Sequence, residues 1–357
     1  ATNSLGSAKR VLRIVGGQRI ALTPPMGWNS WNCFAGAVTD VHIRDAARSM
    51  IESGLADHGW AYINIDDFWQ VNPGAKNDAS LQGPERDEKG RILPNPRFPD
   101  MKGLAEHVHG LGLKIGLYSS PGPFTCGGCV GSIYQEENDA ASYAGWGFDY
   151  LKHDWCSYNP GQEAKRSKPI PGAEAFLAGV TDTKLREYMV PYANMRAALS
   201  QQKREIVYSL CQYGMGDVST WGDKVGGNCW RTTGDITDTW SSMAGIGFAQ
   251  NDHAKFAQPG CWNDPDMLVV GHVGWGPSLH PTKLTPNEQY THISLWCLLS
   301  SPLLIGCDLT KLDDFTPGLL TNDEVLEVNQ DPLGKQATRL VQEGTTEVWA
   351  KPLADGS

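Results

Sequence analysis

One alternation constrains this chain more than anything else in it. Short β-rich apolar segments recur at residues 26–31, 61–69, 113–119, 148–155, 205–211, 228–235, 261–268 and 302–309, and most of the intervals between them carry a helical pattern. Ile43, Ala46, Ala47, Met50 and Ile51 keep to one helical face; Leu104, Val108 and Leu111 do the same, as do Tyr192, Met195 and Leu199. Eight strand–helix units predict an α/β fold, a (β/α)8 TIM barrel, over residues 21–334. A doubly wound open sheet is the structural competitor. It normally carries a Gly-rich nucleotide loop after its first strand, and Trp28-Asn29-Ser30-Trp31 is not one.

The flanks read differently. Residues 1–20 form an N-terminal tail. Beyond the last helical pattern, at residues 322–328, two strands are expected at 337–341 and 348–352 around the turn Glu343-Gly344. Two strands alone cannot bury a sheet face. Residues 335–357 are therefore expected to begin an antiparallel C-terminal β-domain that is cut short here.

Composition removes several classes of function. The longest apolar runs, such as 295–299 and 303–305, are far shorter than the roughly 18 residues a membrane span needs. The net charge is −10, and no Lys/Arg-rich run occurs, which argues against nucleic acid or an anionic membrane as partner. Nine cysteines (33, 126, 129, 156, 211, 229, 261, 297 and 307) leave at least one without a partner in the chain. Cys126-Gly-Gly-Cys129 has the spacing of a redox or zinc half-site, yet it lies in a Gly/Pro-rich loop and no second close pair completes a zinc site. Disulfides in a secreted or periplasmic protein fit better, although residues 1–19 contain no signal peptide.

In a barrel the chemistry belongs at the C-terminal ends of the strands. Those ends carry Trp28 and Trp31, Asp66 to Trp69, Tyr118, Lys152 to Trp155, Cys211 to Tyr213, Trp230 and Arg231 with Asp235, and Asp264 to Met267. Acids that bind hydroxyls beside aromatic faces that stack on C–H groups describe a carbohydrate site. Phosphate would call for Gly-rich loops and cations. His107 and His109 lie two apart on a helix and point away from each other, so metal binding is not expected. Blander readings exist for each group: Lys152 with Asp154 as a mere ion pair, Arg231 with Asp235 as a surface pair, Asp66 or Asp67 as a helix cap, and Trp28, Trp31, Trp69, Trp155, Trp230 and Trp262 as core. The site reading rests on their coincidence at successive strand ends.

These residues resemble a known family. Residues 22–31 (Leu-Thr-Pro-Pro-Met-Gly-Trp-Asn-Ser-Trp), Ile65-Asp-Asp-Phe-Trp69, Tyr150-Leu-Lys-His-Asp-Trp-Cys156 and Cys261-Trp-Asn-Asp-Pro-Asp-Met267 are similar to the motifs of glycoside hydrolase family 27, in the family's order. The resemblance spans roughly residues 20–357 and implies a retaining α-galactosidase. Asp154 is then the nucleophile, ionised beside Lys152 with a lowered pKa, and Asp235 the general acid and base, kept protonated by burial and neighbouring charge. Asp66 and Asp67 would hold O4 and O6, Lys152 O3 and O4, and Arg231 and Asp266 the O2 and O3 side. Trp31, Tyr118 and Met267 would form apolar walls. Cys126 would pair with Cys156 at the rim of the site, and Cys211 with Tyr213 would wall off C2, favouring a free hydroxyl over an N-acetyl group. No cofactor and no metal are implied. The expected partner is a carbohydrate with a terminal α-galactosyl group.

The chain also departs from the family pattern. His153 stands before the nucleophile where an apolar residue is usual, Gln212-Tyr213 replaces Glu-Trp, and Phe68 replaces the cysteine that would partner Cys33. The alternatives on the same scaffold are an α-N-acetylgalactosaminidase and a β-L-arabinopyranosidase, the latter disfavoured by Asp67, which leaves room for a hydroxymethyl group. From another class, the alternative is a catalytically silent sugar-binding barrel.

Overall fold

The computed structural model describes residues 20–357, together with the backbone of the two-residue strands Thr2–Asn3 and Gly6–Ser7. The eight expected strands are all present: β1 (Met26–Asn29), β2 (Tyr62–Asn64), β3 (Lys114–Ser119), β4 (Tyr150–Asp154), β5 (Val207–Cys211), β6 (Cys229–Arg231), β7 (Trp262–Asp264) and β8 (Leu303–Ile305). They form one parallel sheet in the order β8-β1-β2-β3-β4-β5-β6-β7. The ring closes beyond β7, where the Leu268 N–H donates to the Leu304 carbonyl and the Gly306 N–H to the Leu268 carbonyl, at 2.8 and 3.0 Å. Several strands are shorter than the apolar segments that announce them. The segment 61–69 pairs only over Tyr62–Asn64, which frees Asp66 to Trp69 for the rim.

The helices cover the sheet with the faces expected of them. Helix α1 (Asp40–Glu52) is capped by Thr39, whose hydroxyl accepts from the His42 N–H, and it buries Ile43, Ala46, Ala47 and Met50. Ile51, expected on the same face, is 39% exposed, because it falls at the edge of the stripe. Helix α2 (Met101–Gly110) buries Leu104 and Val108. Next come α3 (Glu136–Trp146) and α4 (Thr183–Ser200), the latter burying Tyr192, Met195 and Leu199. Between β5 and β6 the crossover contains only the short turn Val218–Thr220. Helices α5 (Trp240–Phe248) and α6 (Pro286–Leu298) follow; α6 starts with a complete capping box between Thr285 and Glu288. The helices α7 (Phe315–Leu320) and α8 (Asp323–Asn329) close the circuit.

Strands β9 (Thr338–Glu343) and β10 (Thr346–Ala350) form the expected antiparallel hairpin, turning at Gly344 with φ +60°. Its Trp349 packs on Phe248 of α5 at 5.9 Å between ring centroids, while Leu340, Val341 and Val348 are exposed. No helix among the described residues is long and apolar enough to cross a membrane.

Candidate active site

Strand periodicity determines what reaches the site. On β4 the side chains alternate, so Lys152 and Asp154 point into the barrel while Leu151 and His153 face the helices. His153 is fully buried there against Tyr192 and Tyr208, with Nδ1 3.0 Å from the Tyr208 hydroxyl, and burial drives its pKa down to about 3. It is a neutral core residue, as its position before the nucleophile candidate required. Parallel register sets Tyr118 of β3 beside Lys152, and Cys211 of β5 beside Asp154.

At the C-terminal rim these strands and their loops enclose a cavity of about 110 Å3. Of the residues singled out from sequence, Trp31, Asp66, Asp67, Tyr118, Cys126, Lys152, Asp154, Tyr213, Arg231, Asp235, Asp266 and Met267 all line it. Cys211 does not. It lines a smaller, neighbouring pocket with Tyr150, Ser209 and Asp264. Five of the six rim tryptophans are also absent from the lining. Trp28, Trp69, Trp230 and Trp262 are fully buried with their indole N–H groups bonded to Cys307 O, Tyr118 O, Asn263 Oδ1 and Ala21 O, and Trp155 packs on Tyr158 and Tyr188. Of these six only Trp31 lines the cavity, stacked on Phe68.

Two lining segments were not foreseen: Asn32 with Trp275, and Ile236. Trp275 belongs to the β7–β8 crossover and has φ +49°; its N–H and that of Gly274 both donate to the Asn32 carbonyl at 2.9 Å. Only ring closure brings residues so distant in sequence together.

The charges are arranged in two groups. Lys152 does not pair with Asp154; its Nζ lies 2.9 Å from Oδ2 of Asp66, which also accepts from Asn29 Nδ2 at 2.9 Å. Asp67 accepts from the Gly127 and Phe68 N–H groups at 2.7 and 2.8 Å, yet burial outweighs these bonds and lifts its pKa to about 6. Gly127 is required here, because a Cβ would stand 2.4 Å from the Phe68 ring. On the other side, Arg231 is buried between Asp266, 2.9 Å from NH1, and Asp235, 3.0 Å from NH2. Its partners and burial rule out a mere surface pair.

Asp154 differs from the sequence expectation. The Tyr118 hydroxyl donates to Oδ2 at 2.9 Å, and Oδ1 has no hydrogen-bond partner of its own. Burial raises its pKa above the usual carboxylate range; the charge of Lys152 and the hydroxyls of Tyr213 and Tyr118 oppose that shift without reversing it. The lowered pKa expected beside Lys152 is therefore not found, since desolvation wins and the lysine is committed to Asp66. Asp235 also departs from expectation: its side chain is 64% exposed and ion-paired with Arg231, not buried.

Cys126 and Cys156 form a disulfide across the rim, with Cα atoms 5.0 Å apart. Its sulfurs touch both tyrosines that flank Asp154: Cys156 Sγ is 3.4 Å from the Tyr118 hydroxyl and Cys126 Sγ 3.9 Å from that of Tyr213. The redox or zinc reading of Cys126 and Cys129 falls with this pairing, and Cys129 is a buried thiol. The one metal-like grouping among the described residues is Cys126, Asp154 and Cys156, and the disulfide removes both thiolates from it. His107 and His109 do not converge; His109 bonds Asp149 at 2.8 Å.

A closed barrel whose rim gathers paired acids, cations and aromatic faces into one pocket defines a carbohydrate-processing enzyme. Residues 23–170 and 175–331 match the Melibiase_2 family model, described as Alpha galactosidase A. Alpha-galactosidase 2 of Arabidopsis thaliana is 41% identical over 338 residues, covering 94% of this chain and 74% of that protein. An alpha-galactosidase of Cyamopsis tetragonoloba is 40% identical, covering 97% and 73%. The crystal structure of a putative alpha-galactosidase/melibiase from Bacteroides fragilis superposes with a TM-score of 0.84 at 39% identity, covering 99% of this chain and 70% of that one. This chain belongs to that family, glycoside hydrolase family 27, and is a glycosidase.

Proposed function

We propose that this protein releases terminal α-linked D-galactose from oligosaccharides, polysaccharides or glycoconjugates, with retention, by double displacement. The observation that carries the mechanism is the state of Asp154. A buried carboxylate oxygen without a partner is costly, and here Oδ1 is buried with no hydrogen-bond partner while Tyr118 fixes Oδ2. Such an oxygen attacks the anomeric carbon.

In the first step Asp154 forms the bond to C1 while Asp235 gives its proton to the glycosidic oxygen, and the aglycone leaves as an alcohol. In the second, Asp235 takes a proton from water, the water oxygen bonds C1, and Asp154 departs as carboxylate. Each step inverts C1, so the pair retains configuration. Asp235 stands exposed at the cavity mouth, ion-paired with Arg231, on the side from which the aglycone leaves. Asp66, Asp67 and Lys152 hold the hydroxyls at O3, O4 and O6; Arg231 and Asp266 serve O2 and O3; Trp31 and Met267 face the apolar side of the ring. The rim disulfide suits a secreted or periplasmic setting.

The test is turnover of a panel of nitrophenyl glycosides. Hydrolysis of the α-galactoside, with none of the β-galactoside and little of the β-L-arabinopyranoside, is the expected result. Absence of turnover on every member would favour the silent sugar-binding barrel.

A further inference from the structure

The segment that carries Asp235, between β6 and α5, is irregular, and the Asp235 side chain is 64% exposed. A general acid must nonetheless stand within hydrogen-bond reach of the glycosidic oxygen, so its segment has to be held from elsewhere. The hold comes from the end of β7. The Asp264 carbonyl accepts from the Thr232 N–H at 3.0 Å. Asp266 grips the segment at two further points: Oδ1 lies 2.9 Å from NH1 of Arg231, and Oδ2 accepts from the Ile236 N–H at 2.8 Å. Arg231 in turn donates through NH2 to Asp235 at 3.0 Å and to the Thr233 carbonyl at 3.1 Å. Asp235 is thus bracketed by two groups, Arg231 before it and the Ile236 N–H after it, that Asp266 holds.

Asp266 reaches both with an unusual backbone. Its φ is +83°, a conformation that L-residues seldom adopt. Asp264 supports that backbone: its Oδ1 accepts from the Asp266 N–H at 2.8 Å, closing an Asx turn over Pro265, whose ring fixes the intervening φ. Asp264 is 5% exposed and does not line the substrate cavity; it lines the smaller neighbouring pocket with Tyr150 and Ser209. Burial lifts its pKa to about 6, so the fold bears a desolvation cost for a carboxyl outside the substrate cavity.

We propose that Asp264 is a positioning residue for the general acid: its Asx turn sets Asp266, which fixes Arg231 and the Ile236 N–H and so places Asp235 at the glycosidic oxygen. This rests on the reading of Asp235 as the acid in the function proposed above. Asp264 itself touches no reacting atom. Its effect belongs to proton donation, and so to substrates whose leaving group needs a proton.

The experiment measures kcat/KM of Asp264 variants on phenyl α-galactoside, whose leaving group needs protonation, and on dinitrophenyl α-galactoside, whose leaving group scarcely does. General acid catalysis is worth about a hundred- to ten-thousandfold. Asp264→Ala, which removes the acceptor, should lose about ten- to a hundredfold on the phenyl substrate and under about threefold on the dinitrophenyl one. Asp264→Asn keeps an oxygen in the same place and should recover most of the phenyl rate. Asp264→Glu keeps the charge but moves the acceptor by a methylene, and should show the same bias at about three- to tenfold. Dinitrophenyl turnover also reports that each variant is folded; if Asp264→Ala is not, Asp264→Glu carries the same comparison. In an Asp235→Asn background the bias should vanish, because no acid is left to position. Equal losses on both substrates, no loss on either, or a bias that persists without Asp235 would overturn the proposal. A native enzyme inactive on both substrates would instead remove the galactosidase reading, and this one with it.

Discussion

At the residue scale, the sequence identified which side chains meet but not how they share their charges. Lys152 and Asp154 are neighbours by strand periodicity, and that much is legible from spacing two apart. Whether the lysine serves Asp154 or Asp66 depends on the neighbouring strand, and the structure gives it to Asp66. Asp154 is thus raised, not lowered, and must lose its proton to act. The acid limb of the kcat/KM–pH profile should lie above that of an ordinary aspartate. Tyr118→Phe removes a hydrogen bond that favours the carboxylate, so that limb should move to still higher pH; an unmoved limb would contradict the account. Asp154→Asn should lower kcat by several orders of magnitude, since no glycosyl-enzyme forms; near-normal turnover would remove its role. Because Tyr213 lines the cavity and Cys211 does not, the wall we propose at C2 reduces to Tyr213. Crowding of an acetamido group against the tyrosine ring costs about 1–3 kcal/mol, roughly ten- to a hundredfold in favour of galactose. Tyr213→Ala should narrow that ratio, measured with the two nitrophenyl α-glycosides, whereas Cys211→Ala should change it less.

At the element scale, the strands were legible because parallel strands covered on both faces read as continuous apolar runs. The loops that complete the cavity were not. Phe68, Tyr213, Asp266 and Trp275 all adopt positive φ at strand ends around the site, and nothing in their residue types announces it. Such positions cost of order 1–3 kcal/mol each and persist because the surrounding loops hold them. The Cys126–Cys156 disulfide is one such restraint, joining the loop after β3 to the end of β4 across 30 residues. Replacing both cysteines by alanine should cost about 2–4 kcal/mol by the loop-closure estimate. It should also lower kcat, because the sulfurs abut the Tyr118 and Tyr213 hydroxyls. Denaturant unfolding with parallel kinetics checks both; unchanged kcat in a destabilised variant would make the disulfide structural only.

At the scale of the whole molecule, the site weakens the fold that carries it. Asp67 and Asp264 are both buried, and burial lifts each pKa to about 6, whereas an unfolded aspartate titrates near about 3.9. Between those values the folded chain binds more protons than the unfolded one. Their contribution to stability is therefore full below the unfolded value and declines as pH rises through about 6. The Tm of an Asp67→Asn, Asp264→Asn chain, relative to the native chain, should rise between roughly pH 4.5 and pH 7. A difference that stays constant would refute this linkage. The hairpin β9–β10 presents Leu340, Val341 and Val348 to solvent, and we propose that further β-structure packs on it. A longer chain that includes such a sheet should then melt higher, and equal melting temperatures would argue against it. The central claim, retention through a glycosyl-enzyme on Asp154, is tested most directly by following the first-formed sugar by NMR during hydrolysis of a nitrophenyl α-galactoside. Double displacement predicts α-galactose first, mutarotating later to the equilibrium mixture. First-formed β-galactose would contradict it.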